Sequence, residues 1–330
     1  MIDFGAEASG NYGRHRHGWK WVLEQASDLL HSSDANTCLI SFIEKKFLFG
    51  YEPGDMNNGY AAPPKPWIGF LHVPPYVPSW FSSVQQINRL RSQPQFQSAL
   101  DNCKAIICLS EYLSCYSSSA IAPGIPHHTI LHPSDIDVRL FSCDEFCSQK
   151  FINLVQLGFW LRRLSNIHSL RVNTEIYRKW IVGVNQGYQR DVLRNCLLYE
   201  GVAHDPDVFA TGGFLPDHAY DTLLSRSLVV IDFYDTSANN AIIECISRGT
   251  PMLVPRHPAI VEYLGSDYPL YMSGLREIEE FLESPALVYN MASKANEYLL
   301  KLSASNLLSI RVFIEAVSSI ALNSRLPCTL

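Results

Sequence analysis

No stretch of the 330 residues runs apolar for the roughly 18 positions that cross a bilayer, so no membrane-spanning helix is expected. Long runs of Lys and Arg are also missing. With a net charge of −6, nucleic acid is not expected as the main partner. Internal repeats and low-complexity tracts are absent, which sets aside solenoids and polar tails. Among nine cysteines, Cys143 and Cys147 form the one close pair, and without a second pair at ligand spacing a structural zinc is discounted. Thiols such as Cys38, Cys103, Cys108 and Cys245 lie inside apolar runs and read as buried free thiols of a reducing compartment. The first ten residues are acidic and Gly-bearing rather than a leader, so a cytoplasmic protein is expected.

What is present is a folded chain: 47% hydrophobic against 18% charged, long enough for two domains. Short β-branched runs alternate with helical periodicity. In the first half, helices are expected over 19–30, 79–91, just after Pro94 and over 111–117, the last capped by Ser110. Strands are expected over 37–43, 67–73, 105–109 and 129–131, with a long loop over 52–66. Pro74 and Pro75 must stop the strand that carries His72. Residues 135–149, polar and irregular, read as a linker. A second series follows, with strands over 151–157, 180–184 and 208–210 and helices over 166–170, 192–199 and 217–225. Helices over 278–281, 288–302 and 306–322 close the chain. Such alternation predicts parallel sheets with helices on both faces.

Residues 227–265 carry the most specific pattern in the chain. Leu228 to Phe233 is a short buried strand, and Ala241, Ile242, Ile243, Cys245 and Ile246 give a helix its apolar face. Arg248, Gly249, Thr250 and Pro251 stop that helix, and Met252 to Val254 is the next strand. The helix opens with Ser237, Asn239 and Asn240, and its unpaired N–H groups can hold a diphosphate. Glu244, one turn further in, can accept two hydrogen bonds from a ribose diol. The plainer reading is a pair of capping Asn residues and a solvated surface acid.

The wider stretch resembles the donor-binding half of retaining GT-B glycosyltransferases. Glu244 matches the second Glu of that family's pair, Arg248 to Pro251 the helix stop, and Pro258 to Gly265 the following loop and helix. Position 236, where the first Glu is expected, is Thr236, with Asp235 beside it. The resemblance implies an α/β fold of two Rossmann-like domains facing across a cleft. Residues 1–140 would form the acceptor side and 141–308 the donor side, and the helix of 309–330 could return to the first domain. Asp235, Thr236, Ser237, Asn239, Asn240, Ala241 and Glu244 would then bind the donor.

Gly158 ends the first strand of the second half, where the family places an Arg and a Lys that neutralise the diphosphate. Phe159 occupies the usual Arg position, so Arg162 and Arg163 are the candidates, with Arg163 also assigned to catalysis. Guanidinium donates two parallel bonds to phosphate; otherwise the two are an exposed basic pair. His72, at a strand end, corresponds to a His that faces the donor sugar, or else it only caps the strand. In the loop 11–18, Arg14 and His17 are candidate acceptor contacts, and His15 with His17 is discounted as a metal site. Trp67, Tyr76, Trp80 and Phe81 surround the Pro turn. Trp67 reads as core, and Tyr76 and Trp80 as acceptor contacts.

The implied activity is transfer of a sugar from a nucleotide diphosphate donor to a hydroxyl, with retention, and with neither metal nor cofactor. The co-substrate would be a UDP- or GDP-linked sugar. A glycan, lipid-linked or other hydroxyl compound would be the acceptor, which leaves room for peripheral membrane contact. A sugar-nucleotide epimerase on the same fold, or a catalytically silent nucleotide-sugar-binding subunit, are the alternatives.

Overall fold

The computed structural model describes residues 1–4, 18–48, 63, 65–82, 85–184, 187–211, 215–305 and 307–323. The chain forms two compact units. One comprises Met1–Ser134, Asp235–Asn240 and Leu308–Leu330, the other Asp135–Tyr234 and Ala241–Leu307.

In the first unit, helices α1 (Trp19–Leu30), α2 (Ile43–Phe47), α3 (Pro94–Leu100) and α4 (Glu111–Ala120) alternate with strands. These are β1 (Cys38–Ile40), β2 (Trp67–Leu71), β3 (Cys103–Cys108) and β4 (His127–Thr129). The sheet is parallel in the order β1-β2-β3-β4. Ser110 caps α4 by accepting from the Leu113 N–H at 3.3 Å. Ile68 and Phe70 of β2, with Ala105 and Ile107 of β3, build the core against Trp19, Val22 and Leu23 of α1. Every residue of β2 is buried, so both faces are covered. Gly69 is the reason α2 can pack so closely, since a Cβ there would lie 2.9 Å from the Ile43 side chain.

The second unit holds α5 (Cys143–Ser148), β5 (Ile152–Leu157), α6 (Ser165–Ser169), β6 (Tyr177–Val182) and α7 (Gly187–Glu200). It continues with β7 (Val208–Ala210), α8 (Asp217–Leu224), β8 (Leu228–Val230), α9 (Asn240–Arg248) and β9 (Met252–Leu253). Asn240, the first residue of α9, groups with the first unit. Helices α10 (Pro258–Leu264), α11 (Leu275–Leu282) and α12 (Pro285–Ser303) complete the second unit. Helix α13 (Ile310–Asn323) belongs to the first, where Phe313, Ile314 and Val317 join the core beside α1. The second sheet is parallel in the order β7-β6-β5-β8-β9. From β5 the chain builds outward to β6 and β7, then crosses back to β8. The strand order therefore reverses between β5 and β8, the point where doubly wound sheets open a crevice at their carboxyl ends.

Two expectations are corrected. The helix expected over 79–91 is replaced, among the described residues, by a turn at 79–81 and a 3₁₀ helix at Ile87–Ser92. Gln93, the residue before Pro94, is extended at φ −87° and ψ 113°, which ends the 3₁₀ helix at Ser92. The linker at 135–149 contains α5, whose cap Ser142 accepts from the Glu145 N–H at 3.2 Å. Phe141 and Phe146 pack at a tilt, and Phe146 meets Tyr289 of α12 edge to face, which holds this segment in the second unit. The expected loop over 52–66 lies mostly outside the described residues.

Candidate functional site

The loops that leave β5 and β8 at their carboxyl ends are laced together. Arg162 bridges Phe233 in antiparallel fashion, the Arg163 N–H donates to Asp232 O at 2.9 Å, and the Tyr234 N–H donates to Leu161 O at 3.0 Å. Gly158 makes the turn out of β5 at φ +71°, and Leu161 is held at φ +55°. That backbone is unfavourable for a branched side chain. Leu161 is fully buried, so packing holds it there. The strained loop fixes where the two arginines emerge.

They go to different neighbours. Arg163 lies 3.8 Å from Glu200 and 3.9 Å from Asp232, with its guanidinium 4.9 Å over the Tyr234 ring. Burial lifts the Asp232 carboxyl above its usual range, and Arg163 works against that lift. Arg162 donates to Trp160 O at 3.1 Å. Burial pulls its guanidinium down to about 10, still charged at neutral pH, while the nearby Tyr220 phenol acts in the opposite direction.

Tyr220, on α8, was not singled out from the sequence. Its hydroxyl donates a short hydrogen bond to Glu244 Oε2. Glu244 is only 5% exposed, which excludes the solvated surface acid. All of α9 from Ala241 to Arg248 is buried. A second tie runs one turn further on, where Arg248 donates to Asp221 Oδ1 at 2.9 Å and to Glu244 O at 3.1 Å. The end of α9 is a double-bonded left-handed cap. Gly249, at φ +69°, donates to Ile246 O at 3.2 Å, and Thr250 donates to Cys245 O at 2.9 Å.

The segment Asp235–Asn240 groups with the first unit. Asp235 Oδ2 accepts from the Tyr76 N–H at 2.8 Å and the Tyr112 hydroxyl at 3.2 Å, and Oδ1 accepts from the Thr236 N–H at 2.7 Å. Ser237 and Ser110 share a hydroxyl contact of 2.7 Å. Thr236, Ser237 and Asn239 are buried, and Asn240 is half-buried. Asp235 and Ser237 thus make protein contacts, a partnership the local pattern did not reveal.

In the first unit, His72 Nε2 lies 2.9 Å from the Ser41 carbonyl, so that nitrogen donates and Nδ1 is left as an acceptor. Burial drives the imidazole down to about 3, and it is neutral near pH 7. Trp19 and Phe42 pack on the ring at 4.6 and 4.2 Å. The strand end itself is held by Glu44, fully buried, whose Oε1 accepts from the His72 and Val73 N–H groups at 2.8 and 2.7 Å. Burial lifts the Glu44 carboxyl to about 7. Tyr76 is exposed, and Trp80 is half-buried against Phe81. Trp67 is core, its indole N–H donating to Ala99 O at 2.7 Å. Arg14, His15 and His17 lie outside the described residues.

Among the described residues, no group of three or more His, Cys, Asp or Glu could hold a metal ion, and no helix is long and apolar enough to cross a membrane. The eight described cysteines are free, with Cys103, Cys108 and Cys245 buried and Cys38 half-buried.

No family model and no curated protein matches the chain. Solved structures do. Sucrose-phosphate synthase from Thermosynechococcus elongatus aligns over 91% of this chain and 78% of its own, at 12% identity and a TM-score of 0.60. HepE from Anabaena, solved with UDP and glucose, aligns over 77% of this chain and 72% of its own, at 13% identity and a TM-score of 0.57. Trehalose-6-phosphate synthase OtsA aligns over 93% and 77%, at 10% identity and a TM-score of 0.56. The chain has the GT-B fold. In GT-B terms its two parallel sheets are the two Rossmann-like domains, and the loops at the β5/β8 reversal belong to the second of them.

Proposed function

We propose that the protein is a glycosyltransferase that moves a sugar from a nucleoside-diphosphate donor to an acceptor hydroxyl, with retention and without a metal ion. The observation that carries the reading is the grouping of Arg162, Tyr220 and Glu244 beside the strand-order reversal of the second sheet. A guanidinium suits a diphosphate and a buried carboxylate suits a ribose diol, and both belong where doubly wound sheets take nucleotides. The Ala241 N–H in the first turn of α9 adds a donor for the phosphates. Arg162 would stabilise charge on the leaving diphosphate, the main catalytic contribution in this scheme. Arg163, between Asp232 and Glu200, would act through the loop rather than on the phosphates. His72, neutral, would accept from a sugar hydroxyl through Nδ1, and Tyr76 and Trp80 would offer aromatic faces to the acceptor. The UDP and UDP-glucose complexes of HepE favour a UDP-linked donor. A cytoplasmic enzyme of glycan synthesis, its acceptor lipid-linked or free, is the setting this reading implies.

The test is calorimetric titration of Arg162→Ala and Arg163→Ala with UDP and with uridine, and with GDP and guanosine. Loss of charge-assisted bonds worth about 1.5–3 kcal/mol should weaken the diphosphate about tenfold to a hundredfold in Arg162→Ala. Nucleoside binding should hold, and Arg163→Ala should lose less. Equal losses for diphosphate and nucleoside would remove Arg162 from the phosphate site.

One observation favours a second reading, a catalytically silent nucleotide-sugar-binding subunit. Thr236 is buried and stands where the resemblance expects a Glu. UDP release from UDP-glucose in the presence of acceptors would count against it.

A further inference from the structure

Glu244 has a hydrogen-bond partner on another helix. The Tyr220 hydroxyl, 24 residues earlier in the chain, donates to its Oε2. The same ring lies 5.8 Å from the Arg248 guanidinium, one turn along α9. Next to Tyr220, Asp221 takes the Arg248 charge at 2.9 Å. Two consecutive residues of α8 therefore address two positions of α9 four residues apart, and each does a different job. The Asp221–Arg248 pair, buried and ionic, already ties the helices together. The phenol adds a directional bond to a carboxylate.

We propose that Tyr220 is the positioning residue that sets Glu244 for a ribonucleoside diphosphate and so determines the discrimination between ribose and a sugar lacking the diol. This rests on the assignment of Glu244 to the ribose. A carboxylate has about four lone-pair directions. One occupied by a fixed phenol sets the plane of the group and directs the others. A diol needs two acceptors at fixed spacing, so a carboxylate free to rotate would bind it more weakly. Burial and the Glu244 charge both push the Tyr220 phenol well above its ordinary range, and it remains a donor at every working pH. The Tyr220 phenol also acts electrostatically on Arg162, the candidate for the phosphates.

The experiment is titration of wild type, Tyr220→Phe, Glu244→Gln and the double variant with UDP, GDP and their 2′,3′-dideoxy counterparts. Both forms are titrated on the same protein, so any loss of folded material cancels in the affinity ratio; melting temperatures are recorded alongside. In Tyr220→Phe the ribo form should weaken at least threefold and the dideoxy form should hold. In the Glu244→Gln background the Tyr220→Phe change should leave the ratio unmoved. A Tyr220→Phe variant that keeps the wild-type ratio, whether or not overall affinity or melting temperature falls, overturns the positioning role while leaving Glu244 on the ribose. A wild type that does not separate ribo from dideoxy ligand overturns the Glu244 assignment and this proposal with it.

Discussion

Removing Asp221 should damage the second unit more than removing Arg248, although each deletes one half of the same ion pair. Arg248 is completely buried, and the Asp221 side chain keeps 10% of its surface. In Asp221→Ala the guanidinium loses its 2.9 Å carboxylate partner and keeps the Glu244 carbonyl, at 3.1 Å, and the face of the Tyr220 ring. Guanidinium does not give up its proton at any ordinary pH, so the charge stays buried without the carboxylate that faced it. Breaking a buried pair in this way costs about 3–5 kcal/mol. At about 2–4 °C per kcal/mol for a domain of this size, the melting temperature of the second unit should drop by roughly 6–20 °C. In Arg248→Met most of the volume remains, and the Asp221 carboxylate keeps 10% of its surface where the guanidinium keeps none. That loss should be smaller. Asp221→Leu with Arg248→Met removes both charges and should recover most of the stability. Guanidinium chloride titration of all four proteins at pH 5 and 8 reads each difference as a midpoint shift at constant slope. An Asp221→Ala variant within about 1 kcal/mol of wild type, or a double variant as unstable as Asp221→Ala, would refute the reasoning.

Glu44→Gln should remove a pH dependence from the first unit. With the carboxyl raised from 4.5 to about 7, the folded state binds the extra proton between those values. Wild type therefore loses roughly 3 kcal/mol from this group as pH rises through 7, at 1.36 kcal/mol per unit, and Gln keeps the acceptor for both N–H bonds without that loss. His72, lowered from 6.5 to about 3, acts with the opposite sign and loses stability as pH falls below 6.5, so Glu44→Gln should expose a rising slope between pH 4.5 and 6.5 in chemical denaturation. A slope identical to wild type would return Glu44 to its ordinary range. Gly249→Ala should lower the melting temperature well beyond Gly201→Ala. Both sit at left-handed φ after a helix, but a Cβ at 249 would lie 2.6 Å from Asn296 Nδ2 whereas at 201 it meets open space. Backbone strain of order 1–3 kcal/mol is common to both, so equal losses would mean the close approach carries no penalty.

The alternation of strand and helix was readable along the chain because the information is local. Val208–Ala210 and Trp19–Leu30 form where apolar period and flanking breakers place them. The stop after Arg248 was equally plain, since Gly249 is the residue that adopts positive φ without penalty. Helix α5 was missed although Ser142 and Glu145 stand at capping-box spacing, a local signal outweighed by the polar stretch around it. Strand order was not readable. The same five strands could pair in chain order, and only the packing of crossovers brings β8 back beside β5 and opens the reversal on which the candidate site depends.

Side-chain partnerships follow the same division. Glu244 and the two arginines were singled out as residue types at positions, but nothing local says that Arg162 comes beside Tyr220 while Arg163 falls between Asp232 and Glu200. Nor does any spacing pair Tyr220 with Glu244 or Asp221 with Arg248, because those contacts exist only after α8 has packed on α9. Composition and periodicity determine which segments can be buried. Which polar groups meet inside is decided by tertiary structure, because a buried charge is tolerated only where another part of the chain arrives to pair with it.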